Sequence, residues 1–66
     1  MTGSELKEAR QNAGITQKQL AELLGYKGHA GESTVQNWEY GKQPIPSKYW
    51  RELSKILKVP LEAFVP

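Results

Sequence analysis

Ser33-Thr34-Val35-Gln36-Asn37-Trp38-Glu39-Tyr40-Gly41-Lys42 carries two faces at helical spacing. Val35 and Trp38 stand three apart and point toward a core. Ser33, Gln36, Asn37 and Tyr40, at i, i+3, i+4 and i+7, form one hydrogen-bonding stripe on the other side, with no acid in it. Ordinary exposed helices carry Glu and Lys there. Short amides and hydroxyls are instead the side chains that pair with base edges in a DNA major groove, Gln or Asn with adenine and Ser with several partners. These ten residues leave two readings open: a helix that reads bases, or a solvated face rich in amides. The flanking sequence has to separate them.

With 66 residues the chain is one domain, residues 1–66, near the size at which only about 60% of the unfolded chain's surface can be buried. A core of that size is small and leaves little room for a cofactor, and none is expected; no small-molecule ligand is evident either. There is no Cys, no Asp and a single His, so thiol chemistry, metal clusters and paired aspartates are absent by count, and an enzyme is not expected. The amino-terminal stretch is polar, unlike a signal peptide, and no apolar run approaches the roughly 20 residues a bilayer needs. A cytoplasmic protein without a membrane partner is the expectation. Nine Lys and Arg against seven Glu give net +2 and a pI near 9.0, which is compatible with nucleic acid without demanding it.

In chain order the sequence predicts short helices joined by tight turns, with no repeat and no strand. Thr2-Gly3-Ser4-Glu5 has capping-box spacing and starts a first helix with Leu6, Ala9 and Ala13 on its inner face, Arg10 on the same side and Gly14 as its stop. Thr16-Gln17-Lys18-Gln19 repeats the logic for a second helix, with Leu20, Ala21, Leu23 and Leu24 as its apolar face and Gly25 closing it. Gln17 and Lys18 are not needed for the cap and flank the positive end of that helix, where a phosphate binds readily. Residues 26–32 follow as a connection containing two glycines, from which Lys27 and His29 are placed to meet phosphates, although a tolerated surface insertion is the plainer reading. Ser33-x-x-Gln36 has capping spacing again, so the third helix is predicted to begin at Ser33 and to end near Tyr40, before Gly41. Gln43-Pro44-Ile45-Pro46 is extended. Ser47 then caps a fourth helix with Tyr49, Trp50, Leu53, Ile56 and Leu57 as its stripe, and a basic row of Lys48, Arg51, Lys55 and Lys58 on another side. Of that row only Lys48 is well placed for a DNA backbone; the rest reads as solvated. Pro60 opens a last short helix whose Leu61, Phe64 and Val65 finish the core or form part of a dimer contact.

At this point residues 6–64 resemble the Cro and phage-repressor type of helix-turn-helix, also called the XRE family. The pieces that carry the resemblance are residues 6–10, Gly14-Ile15-Thr16-Gln17-Lys18-Gln19-Leu20-Ala21-Glu22-Leu23-Leu24-Gly25, Thr34-Val35-Gln36-Asn37-Trp38-Glu39-Tyr40-Gly41-Lys42, and residues 53–64. The resemblance implies an all-α, lambda-repressor-like bundle of about five short helices. It also assigns a phosphate contact to Gln17, base contacts to Glu32, Ser33, Thr34, Gln36 and Asn37, and a backbone contact to Lys42. Arg10 and Glu39 become a structural ion pair that fixes the angle of the third helix, valued for geometry more than for net stability. The departure is the connection at residues 26–32, about four residues longer than the family turn.

The function these readings imply is sequence-specific binding of double-stranded DNA by a small transcriptional regulator, a Cro-like repressor acting as a homodimer on an operator of two half-sites. Gln17, Lys18, Lys27, Lys42 and Lys48 would hold phosphates while the polar stripe reads bases. A phage or prophage origin is implied by the resemblance alone. Three alternatives remain: an antitoxin that regulates its own promoter, a protein-interaction module that lost DNA binding, and the DNA-binding domain of a longer repressor.

Overall fold

Two capping boxes open the first two helices. In the computed structural model, which describes residues 1–66, the Thr2 hydroxyl accepts from the Glu5 backbone N–H (3.1 Å) while the Thr2 N–H donates to Glu5 Oε1 (2.7 Å). That second bond holds the Glu5 carboxyl below its ordinary pKa. Thr16 and Gln19 repeat the arrangement at 3.0 and 2.8 Å. The helices that result are α1 (Gly3–Asn12) and α2 (Gln17–Leu23). After them come α3 (His29–Tyr40), a 3-10 turn at Ser47–Tyr49, α4 (Trp50–Leu57) and a 3-10 turn at Leu61–Ala63. The fold is therefore all-α, with four α-helices and two 3-10 turns where about five short helices were expected.

The third helix starts four residues earlier than the sequence predicts. Its cap is Gly28, whose φ of 75° suits glycine, and not Ser33, so the connection from α2 is residues 24–28 rather than 26–32. Ser33-x-x-Gln36 imitates a capping box inside a continuous helix. Gly31, which reads as loop, lies buried in the first turn of α3. Glycine there costs roughly 1 kcal/mol of helix propensity relative to alanine. Packing explains its presence, because a Cβ at residue 31 would stand 2.9 Å from the Ala21 Cβ and closer still to the Tyr26 Cβ. Both neighbours are fixed to backbone and cannot swing aside.

Leu6, Leu20, Ala21, Leu24, Val35, Trp38, Leu53, Leu57 and Phe64 make the core. Ala9, Tyr49, Trp50 and Ile56 pack against it half-buried, but two residues assigned to inner faces are exposed: Ala13, which caps α1, and Leu23, in the last turn of the short α2, at 57%. Ser47 does not cap α4. It opens the preceding 3-10 turn after Pro46, and the α-helix proper begins at Trp50, whose indole N–H donates to the Ile45 carbonyl (2.9 Å). Of the last apolar residues Phe64 is buried, against Trp50, while Leu61 and Val65 stay exposed.

Two devices hold α3 against the rest. Tyr26, packed on Gly31 near the start of α3, meets Trp38 in its last turn edge to face, and Tyr49 lies 5.7 Å from both rings, tying the α2–α3 turn, α3 and the 3-10 turn together. The neighbouring Tyr49 hydroxyl, and then burial, push the Tyr26 phenol up to about 12. Near the end of α3, the Arg10 guanidinium donates to Glu39 through Nε (2.7 Å) and Nη2 (3.2 Å) and to the Ile15 carbonyl through Nη1 (2.9 Å). Gln17 Nε2 adds a bond to Glu39 Oε1 (3.0 Å). The Glu39 side chain is 1% exposed, so every one of these bonds replaces lost water.

Two stability outcomes follow from these contacts. Gly31→Ala should destabilise the chain by about 1–3 kcal/mol in urea melts, overpacking outweighing the propensity gain; a stabilised variant would show that α2 and α3 can part at no cost. Arg10→Met should cost about 3–5 kcal/mol by stranding the Glu39 carboxylate, and combining it with Glu39→Met should restore much of the loss. A single variant less than 1 kcal/mol below the parent would mean that water reaches Glu39 freely.

Candidate nucleic-acid interface

The inward side of α3 is Gly31, Val35, Trp38 and Glu39, all buried. Helical geometry sets the opposite side, and the residues there are those the sequence stripe names: Ser33 and Tyr40 are exposed, and Gln36 and Asn37 half-buried. Tyr40 is 68% exposed, a large ring left outside a core that had every reason to take it. None of the four side chains is hydrogen-bonded within the chain, in contrast to the buried polar groups, all of which have partners. Their donors and acceptors are available to a ligand.

Thr34 and Glu32 sit differently. Thr34 is half-buried, and its hydroxyl donates back to the Ala30 carbonyl (2.8 Å), which leaves its methyl group and its oxygen lone pairs for any outside contact. Glu32 is half-buried in the first turn of α3, so it is a helix residue and not part of a loop. The earlier helix start adds four residues that the sequence assigns to the connection, His29, Ala30, Gly31 and Glu32, of which His29 and Ala30 are exposed. One signal for them was present: Gly31, Val35 and Trp38 follow i, i+4, i+7 spacing once a glycine is counted as an inner-face residue.

The expected cations lie outside α3, on α2 and on the segments before and after α3. Lys18 is exposed beside Gln17 at the start of α2, Lys27 is exposed in the turn after Tyr26, and Lys42 is exposed just beyond Gly41, which ends α3 in the left-handed conformation. Lys48 is exposed with its Nζ 5.1 Å from the centre of the Tyr49 ring. Because Tyr49 packs on Tyr26, the shared aromatic contact brings the segments bearing Lys27 and Lys48 together, although they are far apart in sequence. Gln17 is half-buried, with one amide hydrogen committed to Glu39 and the other, with its carbonyl, free. Five of the nine basic residues fall between positions 42 and 58, against the single acid Glu52, whereas α3 has no Lys or Arg at all. The largest cleft, about 420 Å³, is elsewhere, between α1 and α4 beside Glu8 and Lys58.

Comparison with known proteins agrees with this geometry. Over 55 residues, 83% of this chain, it is 41% identical to the transcriptional repressor protein KorC of Escherichia coli, and the match covers 64% of that protein, so the chain spans less than two thirds of its relative's length. No solved structure matches. A family model described as helix-turn-helix matches residues 6–64, and with α2, a short turn and α3 packed through Ala21 and Gly31, the chain belongs to the helix-turn-helix family of the Cro and phage-repressor type.

Proposed function

We propose that this protein is a sequence-specific double-stranded DNA-binding transcriptional repressor that lays α3 in the major groove and occludes a promoter. The observation that carries the reading is the acid-free rim of Ser33, Gln36, Asn37 and Tyr40, unbonded within the chain and mounted on a helix whose end is held by a buried ion pair. Gln36 and Asn37 supply the amides that pair bidentately with adenine, Ser33 and Thr34 add smaller contacts, and Glu32 accepts from a cytosine amino group. Gln17, Lys18, Lys27, Lys42 and Lys48 hold phosphates and so set the register in which the rim meets bases. The repressor that this chain resembles supports the regulatory direction.

One helix of this length reads few base pairs. A homodimer on two related half-sites, about 34–36 Å apart, is the arrangement that gives such a module useful specificity. No helix of the chain is long and apolar enough to cross a membrane, and the bacterial cytoplasm or nucleoid is where its proposed ligand is found. The role is binding, without catalysis.

Selection of bound duplexes from a random pool, followed by affinity measurements across a salt series, tests this reading. Asn37→Ala should relax base preference at one position by about 1–3 kcal/mol with the salt slope nearly unchanged. Lys42→Ala should weaken all sequences alike and lower the slope by about 1. The reverse pattern would exchange the roles of reader and anchor; no enrichment of any sequence would remove the proposal.

A further inference from the structure

The resemblance leaves about four residues before Ser33 unmatched, and in the structure they are helix: α3 begins at His29 and runs without interruption through Ser33. We propose that this added turn is a reading element of its own, in which His29 and Glu32 together recognise one G·C base pair beyond those read by Ser33, Gln36 and Asn37. The inference rests on the DNA-reading role proposed above and names a specificity-determining pair within it.

Four observations support the assignment. First, the turn is packed onto the fold: Gly31 is wedged against Tyr26 and Ala21, and the Thr34 hydroxyl donates to the Ala30 carbonyl. Second, at 1.5 Å per residue the four positions extend α3 by about 6 Å, more than the rise of one base pair, so the added turn reaches an edge that a helix starting at Ser33 leaves untouched. Third, His29 is exposed and stands four residues before Ser33 and eight before Asn37, on the side turned away from Gly31, Val35 and Trp38. Fourth, His29 and Glu32 are neighbours at i, i+3, and neither is engaged by a hydrogen bond or ion pair within the chain.

The chemistry of the pair then selects its target. An imidazole N–H donates to guanine N7 or O6, and a carboxylate accepts from the cytosine N4 amino group, so a donor beside an acid matches the major-groove edge of one G·C pair. With the imidazole over the purine and the acid over the pyrimidine, an A·T pair fails: its amino group lies on adenine, and the thymine presents a carbonyl that repels Glu32 and a methyl group that donates nothing to it. Glu32 also cannot approach a phosphate, which keeps this turn toward the middle of the groove.

Parallel selections from a random duplex pool with the full chain, His29→Ala and Glu32→Gln test the assignment. The parent should show a G·C requirement next to the positions that Asn37→Ala relaxes. Each variant, with an unchanged circular dichroism spectrum, should lose roughly tenfold of discrimination at that pair and none elsewhere. Variants that keep the parent's preference at every position would overturn the inference while leaving the parent's sequence-specific binding intact. Weakening of all sequences alike by His29→Ala would overturn it too, by marking a phosphate contact. A parent that selects no sequence would overturn the DNA-reading role itself, and this inference with it.

Discussion

A carboxylate removed from water at the end of α3 governs the architecture. Glu39 accepts from Arg10 on α1 and from Gln17 at the start of α2, while the same guanidinium takes up the Ile15 carbonyl in the turn between those helices. Burying such a pair is costly, and a well-packed apolar substitute would often be as stable or more so. Its distinctive property is directional: bonds of 2.7 to 3.2 Å from several elements to one carboxylate fix both distance and angle, which apolar contacts of similar energy do not. Gln17 and the outer rim of α3 are thereby set at a defined separation. On the proposed reading, a phosphate contact made by the one places the other over bases.

The opposite end of α3 is fixed by fit rather than by charge. Ala21 and Gly31 are both small, and the space they leave lets α2 and α3 approach until the Tyr26 ring closes the gap. Trp38 and Tyr49 complete the wedge. A chain of 66 residues has a total stability of only about 3–10 kcal/mol, so it cannot afford a loose contact at either end of its central helix. The Gly31 fit holds the start of α3, while the ion pair and Trp38 hold its last turn.

Much of this was legible in the residues, and the failures share a cause. Thr2 with Glu5 and Thr16 with Gln19 were readable as helix starts because both halves of each box lie within four residues, and the resulting bonds are local. Val35 and Trp38 were readable as core from spacing alone. Ser33 with Gln36 satisfied the same local pattern and misled, because what extends α3 past it is Gly31 meeting Ala21 and Tyr26, a contact no local rule contains. Leu23 reads as part of the apolar face of the second helix, whereas the short α2 turns it outward. Local hydrogen bonds write themselves into sequence; fits between distant segments do so only through residues, such as glycine, whose reason for being there is the space they leave.

The placement of charge completes the argument about function. Lys42, Lys48, Arg51, Lys55 and Lys58 concentrate positive charge after α3, while α3 itself has two acids, one neutralised by Arg10, and no cation. On the proposed reading, attraction to a polyanion therefore arises beside α3 and not from it. The amides and hydroxyls of the α3 rim would gain little from arbitrary sequence, since their donors and acceptors lose water without finding partners, and Glu32 beside them would add repulsion where no amino group meets it. On the proposed reading, such a division lets the basic segment supply residence on any duplex, while α3 contributes favourably only where the base edges match. Discrimination then comes as much from what α3 loses at a wrong site as from what it gains at the right one.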